Sequence, residues 1–503
     1  MAGVDPVAAA ALSSAPYSAS DLAALASSLA TVPTETLRAA LEACSVPSRS
    51  PLAVFTNWAR TFECRPQRVF APTTPLQCRQ IAELARRDGA TVHPVGVGHS
   101  PSDLGCTNGW LVRMEGVQGT LDISHTDRTA TFQAGTTLHA VHASLAAAQP
   151  PLALRNIGSI SDQTIGGLIS TATHGSGVTY PVISADVRSL VLILPLPGAP
   201  VVRVSREADP ALFAASQCGL GATGLILAVE ITVEDAYRLE EVKDVYGVDE
   251  VIDSLDEISS SAQHVRVWWY ASGGMVVARA NRTYMPANPQ PSLMGHILGY
   301  HVTQFLLFVS RFWRNFTPYV GKWAWWLAGR HSVTVDDGYK VFNFDCLFPQ
   351  YTSEWALDAA AAADCLRALR DYVAEETADP NGQRVHFPVE IRWSAPDDIP
   401  LSPSYGRRTC WIGVVTYRPY GLPVPYRVFQ TRFAQICAAH GGRPHWAKEH
   451  WLAPKDVEET YERFPEFRSV LQRVDPQGVL RSEYVRRHIL GEDLPLRMFK
   501  RRP

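Results

Sequence analysis

The nine cysteines of this 503-residue chain are scattered, and no two of them form a C-x-x-C pair. Disulfide frameworks and zinc sites usually show cysteines at short, repeated spacings. The pattern is therefore that of free thiols in a reducing compartment. We predict neither a disulfide scaffold nor a metal site.

A basic excess is also missing. The chain has 46 Lys and Arg against 49 Asp and Glu, which gives a formal net charge of −3. Proteins that bind nucleic acids usually carry a basic excess, so we predict no nucleic-acid partner. A hydrophobic fraction of 46% and a charged fraction of 19% are ordinary for a globular enzyme, and the length is sufficient for two domains.

The common nucleotide-binding motifs do not occur in the context that they require. No Gly-Lys-Ser/Thr sequence is present. The dinucleotide fingerprint needs a glycine-rich turn between a strand and a helix, with an acidic residue about 20 positions further on, and the glycine-rich loops of this chain do not fit it.

Residues 1–50 lack the basic start and apolar core of a secretory signal, and the first basic residue is Arg38. This segment is also too acidic and too poor in arginine for a good transit peptide. We expect residues 1–54 to form a mobile, Ala/Ser-rich extension with one or two short helices, beginning near Ser20 and Thr34.

Glycine-rich loops are what the chain does have. The first, residues 95–103, reads VGVGHSPSD and follows a strand-like run. Gly96 and Gly98 allow the backbone to approach a bulky anion, and successive N–H groups in such a turn form a nest for phosphate oxygens. The hydroxyls of Ser100 and Ser102 add donors. A histidine at the centre of this cradle, His99, is unusual unless it contacts the ligand.

Two further loops have the same character. Residues 156–177 contain NIGSISDQTIGG and TATHGSG, and residues 219–226 read GLGATGLI before the strand-like residues 227–233. Three such loops indicate an extended, phosphate-containing cofactor that is held largely by backbone groups.

Together the three loops resemble the FAD-binding domain of the vanillyl-alcohol-oxidase-type flavoproteins. Residues 442–448, GRPHWAK, are similar to the aldonolactone oxidases within that group. The segments VRVWWY at 265–270, FNFDCLF at 342–348 and VEIR at 389–392 resemble the fungal-type D-arabinono-1,4-lactone oxidases. The resemblance covers the chain from about residue 55 to the 480s.

The resemblance implies an α+β fold with a two-subdomain FAD-binding domain of the vanillyl-alcohol-oxidase (PCMH) type over residues 55–235. An α+β substrate (cap) domain would follow over residues 236–503, with residues 440–490 returning to the flavin. Hydrophobic periodicity predicts helices at residues 78–87, 138–148, 353–374 and 427–440, and strands at residues 111–114, 129–134, 189–194, 265–270 and 409–417.

The cofactor implied is FAD, bound covalently from its 8α-methyl carbon to His99. We expect His174 to shape the second flavin loop more than to transfer protons. The predicted cofactor-binding set is Gly96, Gly98, His99, Ser100, Ser102, Gly158, Ser159, Ser161, Gly166, Thr173, His174, Gly175, Gly224 and Ile226.

Glu390 and Arg392 are two residues apart, so on a strand their side chains share one face. From spacing alone such a pair is usually a plain salt bridge. The resemblance implies that Glu390 orients or deprotonates the substrate hydroxyl, and that Arg392 binds the lactone and supports the anionic reduced flavin. His445 and Lys448 would share one side of a helical turn, with Lys448 as a second cation near the flavin and His445 contacting flavin or lactone.

Gly158 is similar to the position that separates oxidases from dehydrogenases in this family, where a small residue leaves a path for dioxygen. The alternative is a turn residue that needs an unusual φ. The implied reaction is oxidation of D-arabinono-1,4-lactone by O2 to D-erythroascorbate and H2O2. Oxidation of L-gulono- or L-galactono-1,4-lactone, or electron transfer to a protein acceptor, stays open because sugar stereochemistry is read by pocket shape.

No acidic residue occurs between Glu257 and Asp336, and residues 295–330 combine aromatic and basic residues. The apolar runs are too short and interrupted for a spanning helix, which needs about 20 largely apolar residues. Aromatic residues with only basic partners suit a membrane interface with anionic headgroups. We expect peripheral membrane contact through residues 295–330, at an intracellular, mitochondrial membrane. The alternative is an aromatic-rich helical insert buried in the second domain.

Overall fold

The computed structural model describes residues 27–289, 293–343, 348–385 and 388–501. The helix expected near Ser20 lies outside the described residues. Helices and strands are mixed along the chain, which fits the predicted α+β class. Within the described residues the strands form one two-stranded hairpin and three larger sheets.

The hairpin and a small parallel sheet begin the predicted FAD-binding domain. The parallel sheet has the order β3-β5-β4. Helix α2 (Pro75–Asp88) connects β3 to β4, with Thr74 capping its start and Gly89 ending it at φ +62°. The strands are β1 (Phe55–Thr56), β2 (Glu63–Cys64), β3 (Arg68–Phe70), β4 (Val92–Val95) and β5 (Trp110–Arg113).

A six-stranded antiparallel sheet follows, in the order β10-β9-β11-β7-β6, with β8 paired to β11. Its strands are β6 (Thr120–Ser124), β7 (Thr129–Gln133), β8 (Leu152–Leu154), β9 (Val187–Ile193), β10 (Val201–Ser205) and β11 (Leu225–Asp235). The helices of this part are α3 (Leu138–Ala147), α4 (Ile165–Ser170) and α5 (Pro210–Ser216).

The rest of the chain is built on an eight-stranded antiparallel sheet in the order β15-β12-β14-β13-β17-β18-β16-β19. Its strands are β12 (Arg238–Tyr246), β13 (His264–Trp269), β14 (Met275–Thr283), β15 (Ser332–Asp337), β16 (Gln350–Asp358), β17 (Val389–Ser394), β18 (Thr409–Tyr417) and β19 (Arg443–Pro444). Its helices include α6 (Val248–Asp253), α7 (Leu255–Ser260), α8 (Leu293–His296), α9 (Thr303–Ser310), α10 (Thr317–Ala328), α11 (Gly338–Phe342), α12 (Ala359–Ala378), α13 (Arg427–Ala439), α14 (Pro454–Thr460), α15 (Phe464–Val474) and α16 (Glu483–Val485).

The helix predicted over residues 353–374 is wrong in its first turn and a half. Residues up to Asp358 belong to strand β16, and α12 begins at Ala359, where the Asp358 side chain accepts from Ala360 N–H. The reason is local: β-branched and aromatic residues such as Thr352 and Trp355 favour a strand, while the helix-forming alanines begin only at residue 359.

Residues 27–54 are not a mobile extension. Helix α1 (Thr34–Leu41) packs on α2, and its Leu37 and Leu41 are buried in the same core as α2. Arg87 of α2 donates to the carbonyl of Leu29 at 2.7 Å. Three leucines on one side of this short segment supply an apolar face, which the Ala/Ser-rich composition conceals.

The C-terminal part of the chain lies against the FAD-binding part. Val92 N–H in β4 donates to the Val479 carbonyl at 2.6 Å, and Glu63 N–H in β2 donates to the Phe499 carbonyl at 2.9 Å. A buried ion pair joins Arg487 to Asp103, behind the first glycine loop, at 2.7 Å.

Residues 293–310 are helical throughout, and this continuous segment does not uphold the prediction that the apolar runs here are too short and interrupted for a spanning helix. Helices α8 and α9 are joined by a π-helical stretch, Ile297–Val302. The 18 residues Leu293–Ser310 have a mean hydropathy of 1.2, and 22% of this segment is buried. By length and composition alone, the segment is long and apolar enough to cross a membrane.

A buried histidine in α3 makes an acid-stability prediction possible. Burial lowers the pKa of His142 to about 4, and its ring stacks on Tyr339 at 4.6 Å. An unfolded histidine titrates near its ordinary value of about 6.5, so the unfolded state binds the extra proton below that pH. The stabilisation by neutral His142 is therefore complete above pH about 6.5 and is lost as pH falls towards 4.

We expect the unfolding temperature to fall less between pH 7 and pH 5 in His142→Phe than in the wild type, measured by thermal scans at both pH values. The matched control is His139→Phe in the same helix, because the His139 side chain is 64% exposed. Equal losses in wild type and His142→Phe would contradict the assignment.

Candidate active site

One cleft opens between the glycine loops and the eight-stranded sheet. Residues 93–101, 158–174 and 220–226 contribute to one wall, and strands β16, β17 and β18 with the turn at residues 445–448 form the other. The structure thus brings together most of the predicted site residues. Those that line the cleft are Gly96, Gly98, His99, Ser100, Gly158, Ser159, Gly166, Thr173, His174, Gly224, Ile226, Glu390, Arg392, His445 and Lys448.

Three predicted cofactor-binding residues do not line this cleft and support the loops from behind. Ser102 caps a short 3-10 helix by accepting from Leu104 N–H. Ser161 accepts from the side-chain amide of Asn343. Gly175 is packed so closely that a Cβ would lie 2.2 Å from Asn156 Oδ1.

The first two glycine loops touch each other through glycine. A Cβ on Gly96 would lie 2.2 Å from Thr164 Oγ1, and Gly98 has φ +73°. Only glycine satisfies both requirements without strain. The loops therefore form one continuous backbone surface, of the kind that suits the phosphates of FAD.

Gly158 has an ordinary backbone conformation, because its φ lies outside the positive region. The alternative reading of Gly158 as a turn residue with unusual φ is therefore wrong. A Cβ there would lie 3.2 Å from Thr173 Cγ2 and 3.4 Å from the His174 carbonyl oxygen. A methyl group would need neighbours to move by a few tenths of an ångström, so the space at this position is just full.

Two neighbours hold the ring of His99, and one of its ring nitrogens makes no hydrogen bond within the described chain. Its ring stacks on Trp58 at 5.0 Å, and Nε2 lies 3.5 Å from a carboxylate oxygen of Asp162. The other nitrogen, Nδ1, is buried and makes no hydrogen bond within the described chain. Burial lowers the pKa of His99 to about 4, so the ring is neutral at pH 7.

Glu390 and Arg392 lie on β17 as predicted. Arg392 Nε is 3.5 Å from Glu390 Oε2, and its two terminal nitrogens donate to Ser159 Oγ at 3.3 Å and to Glu354 Oε1 at 3.0 Å. The remaining oxygen, Glu390 Oε1, is buried and accepts no hydrogen bond within the described residues, with Arg266 Nε 4.0 Å away. Glu390 Oε1 is therefore a hydrogen-bond acceptor that has no donor within the described residues.

His445 and Lys448 lie in a turn and not in a helix, because Lys448 N–H donates to the His445 carbonyl at 2.9 Å. Ala447 N–H donates to His445 Nδ1 at 3.1 Å, so Nε2 carries the ring proton. Burial and the charge of Lys448 lower the pKa of His445 well below its usual range. His445 is therefore a neutral donor.

Glu354 is the functional residue that the sequence reading missed. Its side chain is 6% exposed, and Oε1 lies 3.2 Å from His174 Nε2 and 3.0 Å from Arg392, while Oε2 lies 3.7 Å from Lys448 Nζ. Burial alone would raise the pKa of Glu354, but His174, Lys448 and Arg392 hold it well below its usual range. The alternation of β16 contained the signal, since it turns Thr352 and Glu354 to one face.

The register of the sheet arranges these groups. Adjacent strands β13, β17, β18 and β16 place Trp268, Glu390, Gly413 and Glu354 in one row, and all four line the cleft. Gly413 thus separates the two carboxylates.

His174, Glu354 and His445 have the composition of a metal site, with possible ligand atoms within 4.8 Å of one another. However, the carboxylate of Glu354 already contacts Arg392 and Lys448. The positive charges of Arg392 and Lys448 beside the only carboxylate of this group would repel a metal ion. The arrangement therefore favours an anionic or electron-accepting ligand over a metal ion.

The fold and site define an FAD-binding oxidase of two domains. A match to the family described as "FAD binding domain" covers residues 66–201. A variant of cholesterol oxidase from Brevibacterium sterolicum superimposes with a TM-score of 0.70 at 14% identity, covering 89% of this chain and 99% of that chain. Xylooligosaccharide oxidase from Myceliophthora thermophila superimposes with a TM-score of 0.66 at 14% identity, covering 90% of this chain and 98% of that chain. These likenesses concern the fold.

Sequence relatives are more specific. Residues 229–488 match the family described as "D-arabinono-1,4-lactone oxidase". L-gulonolactone oxidase from Scyliorhinus torazame is 35% identical and covers 86% of this chain and 97% of its own length. D-arabinono-1,4-lactone oxidase from Yarrowia lipolytica is 30% identical to this chain, and the match spans 80% of this chain and 86% of that protein.

The chain belongs to the D-arabinono-1,4-lactone oxidase family. It is an FAD-dependent oxidoreductase of the aldonolactone oxidase class, and the predicted family, the predicted fold class and FAD as cofactor are confirmed.

Proposed function

We propose that the protein oxidises D-arabinono-1,4-lactone at the hydroxyl-bearing carbon next to the lactone carbonyl, with O2 as acceptor, to give D-erythroascorbate and H2O2. The observation that carries this proposal is Glu390, which lines the cleft beside Arg392 and whose Oε1 accepts no hydrogen bond within the described residues. A substrate hydroxyl supplies the missing donor.

Bound FAD supplies the acceptor for the hydride. The residues of the chain have three tasks. Glu390 Oε1 holds or takes the hydroxyl proton, which is general-base catalysis by a positioned carboxylate. Arg392 and Lys448 provide fixed positive charge where negative charge develops, without reorganisation during the reaction. His445 offers its Nε2 proton as a donor, so it does not compete with Glu390 for the substrate proton.

Dioxygen as acceptor is supported by Gly158, which lines the cleft and resembles the family position at which oxidases carry a small residue. A dehydrogenase with a protein acceptor is the competing function. L-gulono-1,4-lactone is the second candidate substrate, favoured by the 35% identity to a relative named L-gulonolactone oxidase.

A panel of lactones tests the proposal. Flavin bleaching by D-arabinono-, L-gulono- and L-galactono-1,4-lactone is measured anaerobically, and H2O2 is then measured after air is admitted. We expect the fastest bleaching with the D-arabinono lactone and one H2O2 for each flavin reoxidised. Bleaching without peroxide would point to a protein as the electron acceptor. Faster bleaching by the L-gulono lactone would make it the preferred substrate in place of the D-arabinono lactone.

Glu390→Gln keeps the shape of the side chain but removes the proton acceptor. We expect anaerobic flavin reduction at saturating lactone to slow by about 10²–10⁴-fold, the usual contribution of a positioned acid–base group. The control is Glu241→Gln, a buried carboxylate of the same sheet that pairs with Lys243 outside the cleft. A near wild-type rate in Glu390→Gln would reduce the Glu390–Arg392 pair to a salt bridge.

We also propose that His99 Nδ1 forms a covalent bond to the 8α-methyl carbon of the flavin. A buried, neutral nitrogen without a hydrogen bond, beside the phosphate cradle, supports this proposal. Forming the bond removes one hydrogen from the methyl carbon and one from the imidazole. The bond would be formed oxidatively, with the bound flavin as the two-electron acceptor and O2 as the final oxidant.

We expect denatured wild-type protein to keep flavin fluorescence on a gel and His99→Ala to lose it while still binding FAD when folded. The control is His331→Ala, a histidine whose side chain is 65% exposed and which pairs with Asp244. A wild-type band without fluorescence would exclude the covalent bond.

We further propose that residues 295–330 contact an intracellular membrane, with the mitochondrial membrane as the expected one. Phe312, Trp313 and Trp326 of this segment are 76%, 59% and 60% exposed. Within the described ranges its cations form no ion pair (Arg311, Arg314, Lys322 and Arg330), and Arg311 and Arg314 donate to neutral oxygens of Pro423 and Asn381. Exposed aromatic rings beside uncompensated cations fit an anionic lipid surface.

Phe312→Ser, Trp313→Ser and Trp326→Ser together should abolish co-sedimentation with anionic lipid vesicles and leave activity unchanged. Trp325 is not included, because it packs on Tyr270 and against Gly273. Leu52→Ser with Leu496→Ser, two exposed leucines outside the segment, serves as control. Failure of the wild type to bind vesicles would contradict the proposal.

A further inference from the structure

We propose that Glu354 is a positioning residue that anchors both cations of the cleft, Arg392 and Lys448, and that its negative charge limits how strongly the cleft stabilises an anion. This inference rests on the proposed function of the two cations. It concerns a residue on a strand whose side chain is almost completely enclosed.

Three separate segments converge on this one carboxylate. Arg392 comes from β17, Lys448 from the turn after β19, and His174 from the second glycine loop, with contacts to Glu354 of 3.0, 3.7 and 3.2 Å. The main chain of Glu354 contributes as well, because His445 N–H donates to its carbonyl at 3.0 Å. One residue therefore fixes both the strand and the turn that carry the proposed cations.

The ring of His174 is fixed independently on its other side. It stacks on Trp411 of β18 with 3.7 Å between ring centres and 8° between planes. Since Trp411 and Arg392 are cross-strand neighbours, the loop that bears His174 is held against the same part of the sheet. Glu354 is thus the point at which the second glycine loop and the sheet meet, through a hydrogen bond with His174 and ion pairs with Arg392 and Lys448.

A buried carboxylate is stable only with partners, and two buried cations beside each other repel unless an anion lies between them. Glu354 serves both needs. Glu354 opposes the positive charges of Arg392 and Lys448, while Glu390 faces Arg392 and Arg266. Removing the charge of Glu354 leaves the cleft one unit more positive, which favours any anion bound there, and it releases the two side chains from their anchor.

Charge and position can be separated by two substitutions. Glu354→Gln keeps the length and removes the charge, whereas Glu354→Asp keeps the charge and shortens the reach by one methylene group. Sulfite, which adds to oxidised flavin and bleaches it, reports the positive charge around the flavin without any lactone. Anaerobic reduction by the lactone reports how well the cations are positioned.

The experiment uses the holoenzyme and its variants at matched flavin content. We expect Glu354→Gln to bind sulfite about tenfold more tightly, which corresponds to about 1.4 kcal/mol, and to be reduced by lactone at least about tenfold more slowly. Glu354→Asp should keep sulfite affinity within about twofold and also be reduced more slowly. A purely structural role would lower flavin content and leave sulfite affinity unchanged in the protein that retains flavin.

The control for the loss of a buried, ion-paired carboxylate is Glu83→Gln. Glu83 is fully buried and pairs with Arg86 and Arg87 in α2, and it does not line the cleft. Neither measurement should change in this variant.

Unchanged or weaker sulfite binding in Glu354→Gln, or reduction of both variants at the wild-type rate, overturns the inference. If Glu354→Gln yields no folded holoenzyme, Glu354→Asp decides alone: slower reduction at unchanged sulfite affinity supports it, and wild-type reduction overturns it. Should no lactone of the panel reduce the wild type, the proposed substrate fails while the sulfite measurement still decides the role of Glu354.

Discussion

The register of the eight-stranded sheet is the constraint on which the site depends. It places Glu390 and Glu354 in one row with only Gly413 between them. The two carboxylates therefore come from positions two strands apart, and neighbouring strands in a sheet are separated by about 4.8 Å. Arg392 reaches both of them. A shift of one residue in either strand would turn one carboxylate to the opposite face of the sheet, where Trp355, Ile391 and Ile412 are buried.

Burial gives this row its chemical value. In a site with little water, each charge interacts strongly with its neighbours and depends on them to remain ionised. The histidines around the row are neutral because burial depresses their pKa. The charged groups are therefore acids with arginine or lysine partners, and the histidines contribute hydrogen bonds, a stacking surface and, at His99, an open nitrogen.

Local sequence patterns were sufficient for much of this structure. Strand 409–417 has the predicted limits, and helices α2, α3 and α13 lie where periodicity indicates them. The Glu390–Arg392 pair lies on strand β17 with both residues at the cleft, as the two-residue spacing indicates for a strand. Glu354 was missed because the alanine-rich stretch after residue 358 extended the predicted helix backwards over β16. The turn at His445–Lys448, the packing of α1 on α2, and the pairing of β16 with β18 depend on contacts between distant parts of the chain, which spacing does not reveal.

The C-terminal residues bear on the order of events during synthesis. Arg487 holds Asp103 behind the first glycine loop, and Phe499 pairs with Glu63 at the opposite end of the sequence. The surface that receives the cofactor is therefore completed only after residues 487–499 have been synthesised. A nascent chain held at residue 440 would already have both carboxylates of the row but neither Lys448 nor the support from Arg487 and Phe499.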